Sequence, residues 1–175
     1  MGCSLCPQKA PEPEEAEEDI PIFGLKKRQR YLLRSSWRGI NRELKKTGNL
    51  ILNKLLAENP SLLNLFPKYE HLNTERDRNN DEAFQEEVER AMDRLDEAMA
   101  DIQEDPKKLE KSFTDIGKSL KSIQGFSPQY LQMLEGAFLD SIRSILEDRY
   151  TPQMETIYSI LISNIIKYLS EGFSA

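Results

Sequence analysis

A chain of 175 residues is long enough to bury roughly 68–70% of its unfolded surface within a single domain. Its net charge of -6, with 31% charged residues, excludes a polyphosphate partner such as nucleic acid, because counterion release needs clustered Lys and Arg. Both cysteines, Cys3 and Cys6, lie at the very start and none is left to staple the body, so a reducing, cytoplasmic setting is expected.

The chain opens "MGCSLC". Removal of Met1 would expose Gly2 for N-myristoylation, with Cys3 and Cys6 available for palmitate, a start that resembles that of dually acylated membrane-tethered proteins; the usual rule wants Ser or Thr where Cys6 stands. One myristoyl chain holds only marginally, so the cysteines decide whether the anchor is stable. As a redox C-x-x-C the segment lacks a folded helix start, and as a zinc site it lacks two further ligands. Residues 1–24, rich in Pro and Glu, have almost nothing to bury and read as a flexible acidic tether. A domain over 25–175 follows, and no secretory h-region precedes it.

From Tyr31 onward apolar residues recur at helical spacing, with no alternating strand and no Asn-Gly turn, which predicts an all-α body. The basic run "KKRQR" (26–30) belongs to the polar face of the first helix. Helices are expected at about 28–45, 48–58, 60–66, 80–103, 106–123, 128–148 and 152–172. Four starts are marked by a capping residue before a proline: "NP" at 59–60, "DP" at 105–106, "SP" at 127–128 and "TP" at 151–152. The greasiest stretch, 157–169, is interrupted by Asn164 and Lys167 and falls short of the ~20 residues that span a bilayer, so it reads as a buried helix.

This order resembles that of the globin family (helices A, B, C, E, F, G and H), and particular residues carry the resemblance. Trp37 stands where the family has its first-helix tryptophan, Pro60 opens helix C, and Phe66 matches the corner phenylalanine that packs on haem, with Tyr69 as the second corner aromatic. The resemblance implies a proximal histidine in the last turn of helix F, where this chain has Leu120, and a distal histidine on helix E, where it has Glu87. The chain's one histidine, His71, lies in the corner and reads as solvent-exposed. Lys121, Met92 and Tyr130 are the remaining candidate axial ligands, and each is poorer than neutral imidazole.

Helix F and its exit carry an apolar face of Phe113, Ile116, Leu120, Ile123 and Phe126, opposed by Val88, Ala91, Met92, Leu95 and Met99 on helix E. The expectation is that the two faces close on one another. The alternative is a residual cavity for a small apolar ligand such as an acyl chain. Glu87 is expected at the pocket mouth, paired with Arg90.

No Ser/His/Asp set, glycine-rich phosphate loop or metal cluster appears, so an enzyme is not expected. The expected function is a membrane-tethered sensor or interaction module in signalling, peripheral at the cytoplasmic face, with an unidentified protein partner. No cofactor is expected. The alternative is a haem-binding globin, carrying oxygen or electrons, with non-histidine axial ligation.

Overall fold

The computed structural model describes residues 20–102 and 105–175. In chain order it holds α1 (Lys27–Asn41), α2 (Leu44–Glu58), a 3₁₀ stretch (Pro60–Leu65), α3 (Glu75–Asn80), α4 (Glu82–Asp101), α5 (Pro106–Ser119), α6 (Gln129–Gln132), α7 (Leu134–Leu146) and α8 (Pro152–Ser174). The fold is all-α, and among the described residues no helix is long and apolar enough to cross a membrane.

The boundaries differ from the sequence-based ones where side chains, rather than periodicity, decide. The expected helix at 80–103 is α4, and a short helix outside the expectation precedes it: Thr74 accepts from the Asp77 N–H to start α3, and Asp81 accepts from the Phe84 N–H to start α4. Of the four proline-marked starts, Asp105 and Thr151 cap with their side chains, accepting from the N–H groups of Lys108 and Met154. Asn59 and Ser127 do not cap in this way; Asn59 turns back to the Leu55 carbonyl and opens a 3₁₀ stretch, and α6 begins after Pro128. Helix α2 starts at Leu44, so Gly48 lies inside it rather than at its edge.

α1 buries Leu33, Trp37 and Ile40, spaced by four and three, and the Trp37 Nε1–H donates to Asp96 of α4 at 2.7 Å. α8 forms the centre of the core, with Ile157, Tyr158, Leu161 and Ile162 fully enclosed. Asn164 in this helix is satisfied internally, donating to the Ile160 carbonyl.

The crossing of α5 and α8 is tighter than side chains would allow. A Cβ on Gly117 would sit 2.1 Å from the Leu169 carbonyl oxygen, and one on Gly172 would sit 2.0 Å from that of Thr114. The two backbones meet through a reciprocal pair of glycines, and α5 packs far more heavily on α8 than on α4.

The domain also reaches further upstream than expected. Phe23 and Leu25 are core residues, and the backbones of Ile22 and Leu25 pair reciprocally at 2.9 Å. The turn between them holds Phe23 at φ 53° and Gly24 at φ 73°. A bulky residue in the left-handed region costs about 1–3 kcal/mol, which burial of the ring offsets. The acidic residues before Ile20, and with them Gly2, Cys3 and Cys6, lie outside the described residues.

Candidate functional site: an apolar cavity between α4 and α5

The opposed faces of α4 and α5 do not close completely. Between them remains a cavity of about 280 Å³. Its walls are Val88, Ala91, Met92 and Leu95 from α4, Phe113 and Ile116 from α5, Gly48, Ile51 and Leu52 from α2, Leu134 and Phe138 from α7, and Ile162, Ile165 and Leu169 from α8. This corrects the expectation of closure, and the glycine contacts supply the reason. α5 is drawn onto α8 through Gly117 and Gly172, while Gly48 lets α2 approach Val88 and Met92 of α4, so a space is left between α4 and α5. The mouth lies at Ala91 and Arg94, both exposed.

Of the facing residues expected from the sequence, Val88, Ala91, Met92, Leu95, Phe113 and Ile116 line the cavity, whereas of the haem-pocket equivalents implied by the resemblance (Phe66, Tyr69, Glu87, Arg90, Ala91, Leu120 and Phe126) Ala91 alone does. Leu120 terminates α5 and rests half-buried against the main core, outside the cavity walls. The ring of Phe126 packs instead on Tyr130 and Phe173, with centroids 5.7 and 5.6 Å away. Phe66 is 40% exposed and faces no cavity wall, because the 3₁₀ stretch before it turns Leu62 and Leu63 inward in its place. Tyr69 belongs to a second core cluster, edge-on to Phe84 at 5.4 Å, and its hydroxyl donates to the Ala83 carbonyl.

Glu87 is exposed, and both its oxygens meet Arg90, at 2.6 and 3.3 Å. The bond and charge of Glu87 raise the Arg90 guanidinium above its ordinary range. Neither group enters the cavity.

Among the candidate ligands, Met92 is buried and lines the cavity, Lys121 is exposed, and Tyr130 packs beside Phe126. His71 is exposed in the corner. The walls contributed by α2, α7 and α8 escaped the sequence reading, since apolar positions on those helices carry no mark separating a cavity wall from ordinary core. Glycines offered one signal, since a glycine within a helical stretch points to close backbone approach, as at Gly117 and Gly172 inside the expected helices.

The chemistry of these walls fits the flat, apolar body of a porphyrin, and the donor set fits only in part. One soft donor, the Met92 thioether, is present, a cation stands at the mouth in Arg94, and no wall residue is a histidine. The volume lies just under the ~300–1,000 Å³ of ordinary ligand pockets. A tetrapyrrole is larger than this space.

The globin family model matches residues 49–169. Cytoglobin-2 of Danio rerio is 19% identical over 95% of this chain and 93% of its own length. Neuroglobin of Dissostichus mawsoni is 22% identical over 86% and 93%. A crystal structure of a hexacoordinated haem protein from an anhydrobiotic tardigrade superposes with a TM-score of 0.82 at 31% identity, covering 87% of this chain and 97% of that one. The expectation that the chain takes no cofactor is overturned by this likeness to a haem protein.

Proposed function

The chain belongs to the globin family, and on that premise we propose that it binds haem through non-histidine axial ligation, tethered by N-terminal acyl chains to the cytoplasmic face of a membrane. The observation that carries this reading is the apolar cavity between α4 and α5 with Met92 in its wall, in a chain that resembles a haem protein over most of its length. Met92 would hold the iron through its thioether, a softer and weaker donor than imidazole. Val88, Phe113, Ile116 and Phe138 would enclose the ring and exclude water, and Arg94 would meet its carboxylate edge at the mouth. When bound, haem supplies reversible binding of a diatomic gas or exchange of one electron. Leu120 contributes no donor, so the family's proximal bond has no counterpart on α5.

The test uses the full chain with haem supplied. A Soret band is expected, and Met92→Leu should shift it and weaken haem retention at least tenfold, whereas Lys121→Ala and Tyr130→Phe should leave it unchanged. No band, or a band indifferent to Met92→Leu, would overturn this ligation. The swap conserves volume and should cost less than about 1.5 kcal/mol of stability, so a lost band cannot be ascribed to unfolding.

The tether rests on Gly2, Cys3 and Cys6, where one acyl chain holds marginally and a second makes the anchor stable. Gly2→Ala should release the protein from membranes, and unchanged retention would count against acylation. Placed there, the domain serves as a sensor for a protein partner rather than as an enzyme. A small apolar ligand remains a second candidate occupant of the cavity, detectable by native mass measurement.

A further inference from the structure

α1 breaks two local rules of helix electrostatics. Its first turn holds Lys27 and Arg28 with no acid, the wrong sign for the positive end of the helix dipole, and Arg34, Arg38 and Arg42 follow at intervals of four, where like charges repel. From Lys26 to Arg42 the chain carries seven of its 24 cationic residues and none of its 30 acidic ones, so ion pairs within the helix are ruled out. Elsewhere surface cations meet carboxylates: Lys45 meets Glu89, Lys108 meets Asp101 and Arg143 meets Glu155. Among the described residues, Arg28, Arg38 and Arg42 enter no ion pair. Both conflicts cost stability in water, and an anionic surface laid on the helix relieves both.

The charges also lie on one side. Lys27, Tyr31, Arg34, Arg38 and Arg42, at intervals of four, three, four and four, are all exposed, on the side away from the buried Leu33, Trp37 and Ile40. Tyr31 is 68% exposed within this row, with an apolar body and a polar tip. A convex row of cations around an aromatic ring matches a sheet of anionic headgroups, where basic side chains meet phosphate and carboxylate and Tyr sits at the interface.

We propose that this face of α1 docks on anionic lipid and supplies a membrane signal independent of the cysteines. One myristoyl chain holds marginally, and one chain with a polybasic patch holds stably. The inference rests on the tether reading above for delivery to the membrane, since α1 is the first described helix after Gly2; the lipid contact itself uses described residues alone. Docked in this way, the domain lies with α1 against the membrane, and stable retention no longer depends on palmitate at Cys3 or Cys6.

The test uses the unacylated full chain, as made in bacteria, so that it reads the face apart from the tether. Co-sedimentation is expected at millimolar lipid with vesicles holding roughly 30% phosphatidylserine and not with phosphatidylcholine alone, and it should weaken steeply between about 50 and about 200 mM salt. Arg28→Gln, Arg38→Gln and Arg42→Gln together should weaken binding at least tenfold, each cation near such a surface being worth about fivefold. Lys107→Gln, Lys111→Gln and Lys118→Gln on α5 remove the same charge and should leave binding within about twofold. Tyr31→Trp should add a fluorescence that shifts to the blue on phosphatidylserine vesicles. All the substituted residues are exposed, and unchanged thermal unfolding would confirm that folded proteins are being compared.

Absence of phosphatidylserine-dependent binding, or equal losses in the two triple variants, overturns the proposal. So does binding that emerges only with Glu14→Gln, Glu15→Gln, Glu17→Gln and Glu18→Gln, because the face then belongs to the chain's own acidic run. A DNA duplex bound as tightly as the vesicles overturns it as well. Failure of acylation leaves these outcomes untouched, and failure here leaves the release expected of Gly2→Ala untouched.

Discussion

α5 meets its two neighbours in opposite ways. Toward α8 it is in backbone contact, with Gly117 under the Leu169 carbonyl and Gly172 under that of Thr114. Toward α4 it leaves a cavity of about 280 Å³, although both facing surfaces are apolar. The difference teaches that apolar character alone does not bring two helices together. What decides is which side chains stand between the axes, and removal of a Cβ from each of two crossing helices is enough to commit α5 to one partner.

The comparison can be broken most severely at the glycines. Gly117→Ala and Gly172→Ala each drive a methyl into a backbone carbonyl, which has no rotamer to escape by, and each should lower stability by about 3 kcal/mol or more in urea unfolding. Either variant that does fold should show a changed cavity, since α5 must move off α8. Gly48→Ala sharpens the contrast. Its Cβ would fall 2.6 Å from Met92 Cγ and 2.7 Å from Val88 Cγ1, and these are side-chain atoms able to shift. A loss of about 1–2 kcal/mol is expected, roughly half that of the α5–α8 pair, and it should perturb Met92 and hence any haem spectrum.

The smallest effect concerns alkaline pH. Burial, and then the hydrogen bond to Glu110, pushes the Tyr168 phenol up to about 12. Burial also raises Tyr158, whose hydroxyl lies 2.9 Å from that of Ser36. Since the unfolded phenols ionise near ~10 while the folded ones stay protonated, the unfolded state binds fewer protons above that pH. The stability these groups contribute is therefore complete below ~10 and lost as pH rises toward about 12. Tyrosinate absorbance should show these two residues ionising last, and Tyr168→Phe should flatten part of the decline; an unaltered slope would mean that the Glu110 bond does not hold α5 to α8.

The helical class, the burial of 157–169 and the absence of imidazole from α4 and α5 were legible in the chain itself. The first two follow from period and length, and the third from composition, because one histidine at position 71 cannot be moved to another helix. The Glu87–Arg90 pair was legible too, being local at i, i+3. The pocket was not. Leu120, Phe126 and Phe66 were placed at it by resemblance, yet none lines it, since a rotation of one short helix end or corner turns a side chain from cavity to core. Phe23 escaped altogether, because its neighbours upstream are acidic and its partners, Phe113 and Tyr168, lie far along the chain.

Sequence by itself determined what this protein is made of: amphipathic helices, their approximate ends, and a donor inventory with a single histidine, at position 71. Only the tertiary structure decided where space remains. Hydrophobic periodicity specifies that a face is buried without naming its partner, and the choice fell to glycine contacts and one inserted aromatic ring, each joining residues far apart in the chain.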